Sequence, residues 1–208
     1  NNNFIRIPII SQSGNSPADP SILAIYEDSS ETLWFGGPMG LCRFDRDRMK
    51  FTLFENNPDD PNSLGFGNVR TIVEGENEIL WVGTEKGGLN KFDRKTEQFK
   101  NYSTEQGLPY SMVLGILEDD IGNLWISTEG GLSRFNPESE VFTNFDKSDG
   151  VQDMDFNAGS YFESSDGQMF FGGANGFNSF YPDSIDLNTS KPTIVLESIQ
   201  VLKSKHTE

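Results

Sequence analysis

The chain has 208 residues, 32 acidic against 16 basic, with a formal charge of −16, one histidine and one cysteine. That length supports one sizeable core, and the charge argues against nucleic acid and anionic membrane as partners, since phosphate recognition needs a basic stripe. Cys42 cannot form an internal disulfide, and no apolar run reaches membrane-spanning length.

In chain order, Phe4–Ile7 is a short apolar run, followed by a polar connection to residue 20. The chain then repeats. EDSSETLWFGGPMGLCRFD (27–45), EGENEILWVGTEKGGLNKFD (74–93), EDDIGNLWISTEGGLSRFN (118–136) and ESSDGQMFFGGANGFNSFY (163–181) share one layout. Trp34, Trp81, Trp125 and Phe170 fall at one position, 47, 44 and 45 residues apart. Each unit reads as four short strands. Strand A is apolar on both faces, as expected of a strand covered on each side. Its middle position is small every time: Ala24, Thr71, Gly115, Ser160. Strand B carries the Trp or Phe. Strand C ends at Phe44, Phe92, Phe135 and Phe180, and strand D is the aromatic run Phe51–Phe54, Phe99–Tyr102 or Phe142–Phe145. Turns rich in Asp, Ser, Asn and Gly join them.

A period of about 45 residues with a Trp on the second strand predicts an all-β chain of β-propeller blades. The expected units are residues 1–20, strand D and connection from a preceding blade; 21–66, 67–110 and 111–155, three complete blades; 156–183, strands A to C of a fourth; and 184–208, a linker and first strand of a following domain. Phe4–Ile7 aligns with strand D, and the last repeat lacks one, so the chain reads as a section of a longer array. Trp34, Trp81, Trp125 and Phe170 are expected as packing anchors. An open section exposes two apolar blade faces, which predicts association with a second copy.

The chemistry expected of the chain is binding rather than catalysis. His206 lies in a polar tail, where it cannot act as a triad base or cluster as a metal ligand. Asp119-Asp120 lacks the ligand spacing of a calcium loop. No catalytic residue, cofactor or metal site is therefore expected. Ligands of propellers meet the loops from strand D to the next strand A. Those loops are 56–67, 103–111 and 146–157. There Asn68 and Asn157 offer amides, Tyr110 and Phe156 offer rings, and Met112 stands at the equivalent strand start. The expected ligand is a neutral or cationic small solute, with no direct membrane contact.

EDDIGNLWISTEGGLSRFNP (118–137) and GLPYSMVLGILED (107–119) resemble the two-component regulator propeller repeat. The second repeat fits nearly as well; the first departs at Gly37-Pro38-Met39, and the fourth has Phe170 for Trp. KPTIVLESIQVLKSK (191–205) is similar to the first strand of the immunoglobulin-like three-tyrosine domain that follows such propellers. The resemblance implies a non-enzymatic sensor outside the cytoplasmic membrane, periplasmic in an inner-membrane receptor. It also implies signalling through a histidine kinase or cyclase elsewhere in the parent protein, with oligosaccharide as one ligand class. Alternatives are a self-associating protein-interaction scaffold and a sialidase-like or lyase propeller. The few arginines, mostly in strand and turn positions (Arg43, Arg46, Arg48, Arg94, Arg134), do not suggest the cluster a sialidase needs.

Overall fold

The computed structural model describes residues 4–9 and 19–185. Four antiparallel sheets follow one another in sequence. The first holds β1 (Ala24–Glu27), β2 (Leu33–Gly37), β3 (Gly40–Asp45) and β4 (Lys50–Phe54); the second β5 (Val69–Glu74), β6 (Ile79–Thr84), β7 (Leu89–Asp93) and β8 (Gln98–Tyr102). The third holds β9 (Val113–Glu118), β10 (Leu124–Thr128), β11 (Gly131–Asn136) and β12 (Val141–Phe145), and the last β13 (Phe156–Glu163), β14 (Met169–Gly173) and β15 (Gly176–Phe180). Every pairing joins strands adjacent in sequence, as tight hairpins dictate. These are propeller blades. β5 packs beside β1 and β9, β13 packs beside β9, and β13 reaches β5 across the centre.

The core lies between the blades. Trp34 meets Phe92 of the next blade edge-on, with centroids 5.6 Å apart, and Trp81 meets Phe135 in the same way at 5.6 Å. Trp125 meets Phe180 at 4.7 Å. So the Trp of each strand B packs on the Phe that ends the next strand C. A buried Trp removes about 150–250 Å² from water, at most roughly 4–6 kcal/mol at 25 cal/mol per Å². Aliphatic residues such as Val69 and Leu80, or Val113 and Leu124, fill the same layers.

Phe170 occupies the Trp register, opposite Phe162 and Ser179, but is only half-buried. Its ring neighbours, Phe162 and Phe177, are 63% and 66% exposed. Among the described residues no blade covers that face, so an anchor equal to the three Trp residues is not formed there. The outer face of the first blade is likewise open at Ile25, 66% exposed. The expectation that every strand A is covered on both sides therefore holds for β9 but not for β1 or β13. Residues 4–9 form no strand, and the fourth sheet has three. Among the described residues Phe4–Ile7 pairs with no strand. Instead Ile9 packs against Met39, Cys42, Phe44 and Phe51. Cys42 is buried and unpaired, and burial pushes its thiol up to about 12, which makes it an inert core residue. The segment expected to begin a following domain lies outside the described residues.

The small middle positions of strand A have one central use. Tyr161 crosses the axis and its hydroxyl lies 2.9 Å from Thr71 Oγ1. Its ring passes over Gly115, where an added Cβ would lie 2.3 Å from Tyr161 Cδ1. Gly115→Ala is expected to cost about 1–3 kcal/mol in urea unfolding by overpacking; an unchanged midpoint would contradict this packing of the axis.

Candidate functional site

The three loops from strand D to the next strand A lie on one face and are ordered by their own chemistry. In the second, Ser103 and Gln106 form a capping box and Gly107 closes the turn with φ 110°. In the third, Asp146 and Asp149 do the same, closed by Gly150 with φ 95°. Each loop drops one apolar residue into the core: Leu64, Leu108 and Val151. Strand C of the following blade then stitches the loop down. Asn90 Oδ1 accepts from the Gly65 N–H at 2.7 Å, and Asn178 Oδ1 accepts from Gln152 N–H at 2.8 Å.

This scaffold leaves a groove of about 420 Å³ between the first two blades, whose lining includes Asn56, Phe66, Asn68, Glu85 and Lys86. Phe66 is 61% exposed, with the Lys86 ammonium 5.6 Å from its ring centroid. Glu85 is paired with Arg70. Asn56 is committed to the Leu64 carbonyl at 2.7 Å, while the Asn68 backbone carbonyl accepts from Glu85 N–H and its side-chain amide makes no hydrogen bond among the described residues. An exposed ring beside a half-buried amide suits a hydroxyl-rich or amine-bearing solute.

Of the residues expected from sequence, Asn68 falls in this groove. Tyr110 is exposed and leans on Gly130 of its own loop's neighbourhood, and Met112 packs against the core of the third junction. Asn157 is exposed within β13. Phe156 is a correction: it is 4% exposed and packs edge-on to Phe171, so its ring is not offered to a ligand. A hydrophobic residue at the start of a strand A fills the inter-blade layer, as Val69 and Val113 also do. Phe66 was not anticipated, although an aromatic between two glycines, Gly65-Phe66-Gly67, marks a ring held out on a loop.

The opposite face is formed by the turns between strands A and B, and here polar groups lock the blades. Asp28 accepts from Ser30, Thr32 and the Trp34 indole at 3.0, 2.9 and 2.8 Å. Asp119 repeats this with Ile121, Asn123 and Trp125. Its carboxylate serves a turn and its tryptophan. Arg94 bridges blades, donating to Asp28 at 2.5 Å and to Glu74 at 2.6 Å. Burial works to raise Asp28, but the Trp34, Thr32 and Arg94 hydrogen bonds hold it below the usual carboxylate value. Glu118, the equivalent of Glu74 one blade on, has no such arginine. Burial, with Glu76, Asp119 and Glu74 nearby, pushes it up to about 7.

Against known proteins, the family model described as two component regulator propeller matches residues 107–130, from within the second loop through β10 and into the turn after it. One stretch of the chain, residues 107–130, thus matches the two-component regulator propeller repeat. Over 205 residues it is 26% identical to histidine kinase P4 of Formosa agariphila, covering 96% of this chain and 15% of that protein. Two solved structures, from B. thetaiotaomicron, share the fold. The extracellular domain of a protein described as a hybrid two-component system superposes with TM-score 0.70 at 23% identity, over 84% of this chain and 24% of that one. Another, described as a one-component system, gives 0.68 at 21%, over 85% and 26%. The chain thus spans a minor part of each relative.

The turn-side face of the blades gives two stability tests. Arg94→Ala leaves Asp28 buried without its cation and is expected to cost about 3–5 kcal/mol in urea unfolding; a loss near that of an exposed pair would contradict the bridge. For Glu118 the folded form holds its proton more tightly than the unfolded chain. Stability is therefore lost as pH rises from about 4.5 to about 7. Glu118→Gln should raise Tm at about pH 8 and leave it unchanged near pH 4.5; a lower Tm at both values would show that the carboxylate is not strained.

Proposed function

We propose that this chain is a propeller section of the extracytoplasmic sensing region of a two-component receptor. It binds a small solute and has no catalytic step of its own. The reading is supported by the regulator propeller match, by a relative that is described as a histidine kinase, and by neighbours described as extracellular domains. Kinase output would belong to other parts of the parent protein, beyond the share of the relatives that this chain spans. The observation that carries the binding role is the groove on the loop side, where Phe66 stands exposed beside Asn68 on loops pinned to a rigid sheet. Its mixture of ring, amide and charged groups favours an oligosaccharide, whose hydroxyls take the amide and whose sugar face stacks on the ring.

Thermal shift against a panel of neutral oligosaccharides tests this. At least one member should raise Tm, and Phe66→Ala and Asn68→Ala should each abolish that rise while changing the ligand-free stability by no more than about 0.5 kcal/mol. A panel without effect, or a shift insensitive to both substitutions, would contradict the groove as the site.

A second reading, self-association, is favoured by the open faces at Phe162 and Phe177 on the last blade and Ile25 on the first. These faces lie at opposite ends of the blade series, one with Phe170 in the Trp register and the other with Ile25, so two copies are expected to meet head to tail. Sedimentation showing a monomer at all concentrations would remove this reading.

A further inference from the structure

We propose that Phe4–Ile7 of one copy of this chain binds as a fourth strand along β15 of a second copy. The proposal rests on the self-association reading and names the segment and the edge that carry it. Strand C is an inner strand in the first three sheets, paired on one side with strand B and on the other with strand D. β15 is strand C of the fourth sheet, and among the described residues it pairs with β14 alone. The consequence is visible in the side chains. Leu41, Leu89 and Leu132 are at most 3% exposed, whereas Phe177 at the equivalent position is 66% exposed. Through residue 185 the chain does not return along this edge: it turns at Pro182–Ser184, and Ile185 packs against the core of the third junction. An unpaired edge beside an aromatic face is a template for an added strand.

Phe4–Ile7 has the composition and the placement of that strand. Phe4 stands 47 residues before Phe51, the interval that separates Trp34 from Trp81, so the run occupies the strand D place of the repeat. It is unpaired among the described residues, with Phe4 and Ile5 exposed. Pro8, which has no N–H to give a ladder, follows it directly. Ile9 anchors the run to the first blade, against Phe44 and Phe51, which holds it where a covering blade brings its outer edge. Within one copy it does not meet β15, since β1 and β13 do not pack side by side as β1 and β5 do. A second copy arriving head to tail brings β15 to it. In the first sheet Phe44 is opposite Phe51 and Arg43 is opposite Thr52; the same register sets Phe180 opposite Phe4 and Ser179 opposite Ile5. Ile5 and Ile7 then fall on the side of Phe170 and Phe177 and cover the aromatic face that the last blade leaves open. Arg46 stands at this same junction, held by Glu27 at 2.5 Å as Arg94 is held by Glu74 at 2.6 Å. Arg94 also takes a carboxylate from the turn of the preceding blade, and the last blade's turn offers Ser164 and Asp166 in that place.

The test mixes two single variants of the whole chain, Ile5→Cys and Ser179→Cys, with oxidised glutathione as the oxidant. Both positions are exposed, and Cys42 is buried and does not compete. Directly opposed residues of an antiparallel pair have Cα atoms about 4.5–5.5 Å apart, within disulfide reach. A disulfide-linked pair of the two variants should form in the mixture, and neither variant alone should give a comparable yield. Ile7→Asp puts a charge on the covered face at a residue outside the core of the first blade, so it should weaken the dimer seen by sedimentation about tenfold or more. A monomer at all concentrations would remove self-association and strand donation together. A dimer that forms no such disulfide and is indifferent to Ile7→Asp would leave self-association standing and overturn the proposal, as would a bond formed within one chain of the double variant.

Discussion

The structure depends on one contact made three times, edge-on at the first two junctions and tilted at the third: the tryptophan of one blade set against the phenylalanine that ends strand C of the next. A four-stranded blade has two faces and cannot bury either alone, so blade-to-blade packing is where this chain gains its core. The contact fixes the angle between neighbouring sheets, and the other features adjust to it. Asp28 and Asp119 orient the indole from the turn side. Leu64, Leu108 and Val151 seal the same layers from the loop side. Where the series ends, at Phe170, the face lies open.

The same geometry divides functional possibilities between two ends. On the loop side, capped turns and asparagine stitches hold backbone rigidly while side chains such as Phe66 vary, so recognition can change without cost to the blades. On the turn side, charged groups act across junctions. Arg94 neutralises two carboxylates from two blades, and its replacement by Pro137 one repeat later leaves Glu118 strained. A degenerate repeat is therefore chemically distinct from a faithful one, although both have the same fold.

Most of the framework was legible in the sequence because repetition averages out local ambiguity. Strands C and D fell within a residue of their expected ends, since Phe44, Phe92 and Phe135 mark them by type as well as by spacing. The coverage of β1 and β13 was not legible: the apolar pattern of a strand records what it is built to pack against, not what is present. Phe156 was misread as a ligand platform because an aromatic at a strand start serves the core or a solute equally well in one dimension. The Arg94 bridge was hidden by the 66 positions that separate Asp28 from Arg94 in the chain. Its loss at the next junction was visible in the aligned repeats, as Gly75 for Asp28 and Pro137 for Arg94, but acquired meaning only once the bridge was seen.

The most direct measurement is a double-mutant cycle on Trp81 and Phe135, read by urea unfolding of Trp81→Ala, Phe135→Ala and the double variant. These rings are 5.6 Å apart on different blades. If inter-blade stacking sets the fold, their losses should be non-additive by about 0.5–1.5 kcal/mol or more. Strict additivity would mean that each ring is stabilised within its own blade, and that the junction is a consequence of the fold and not its cause.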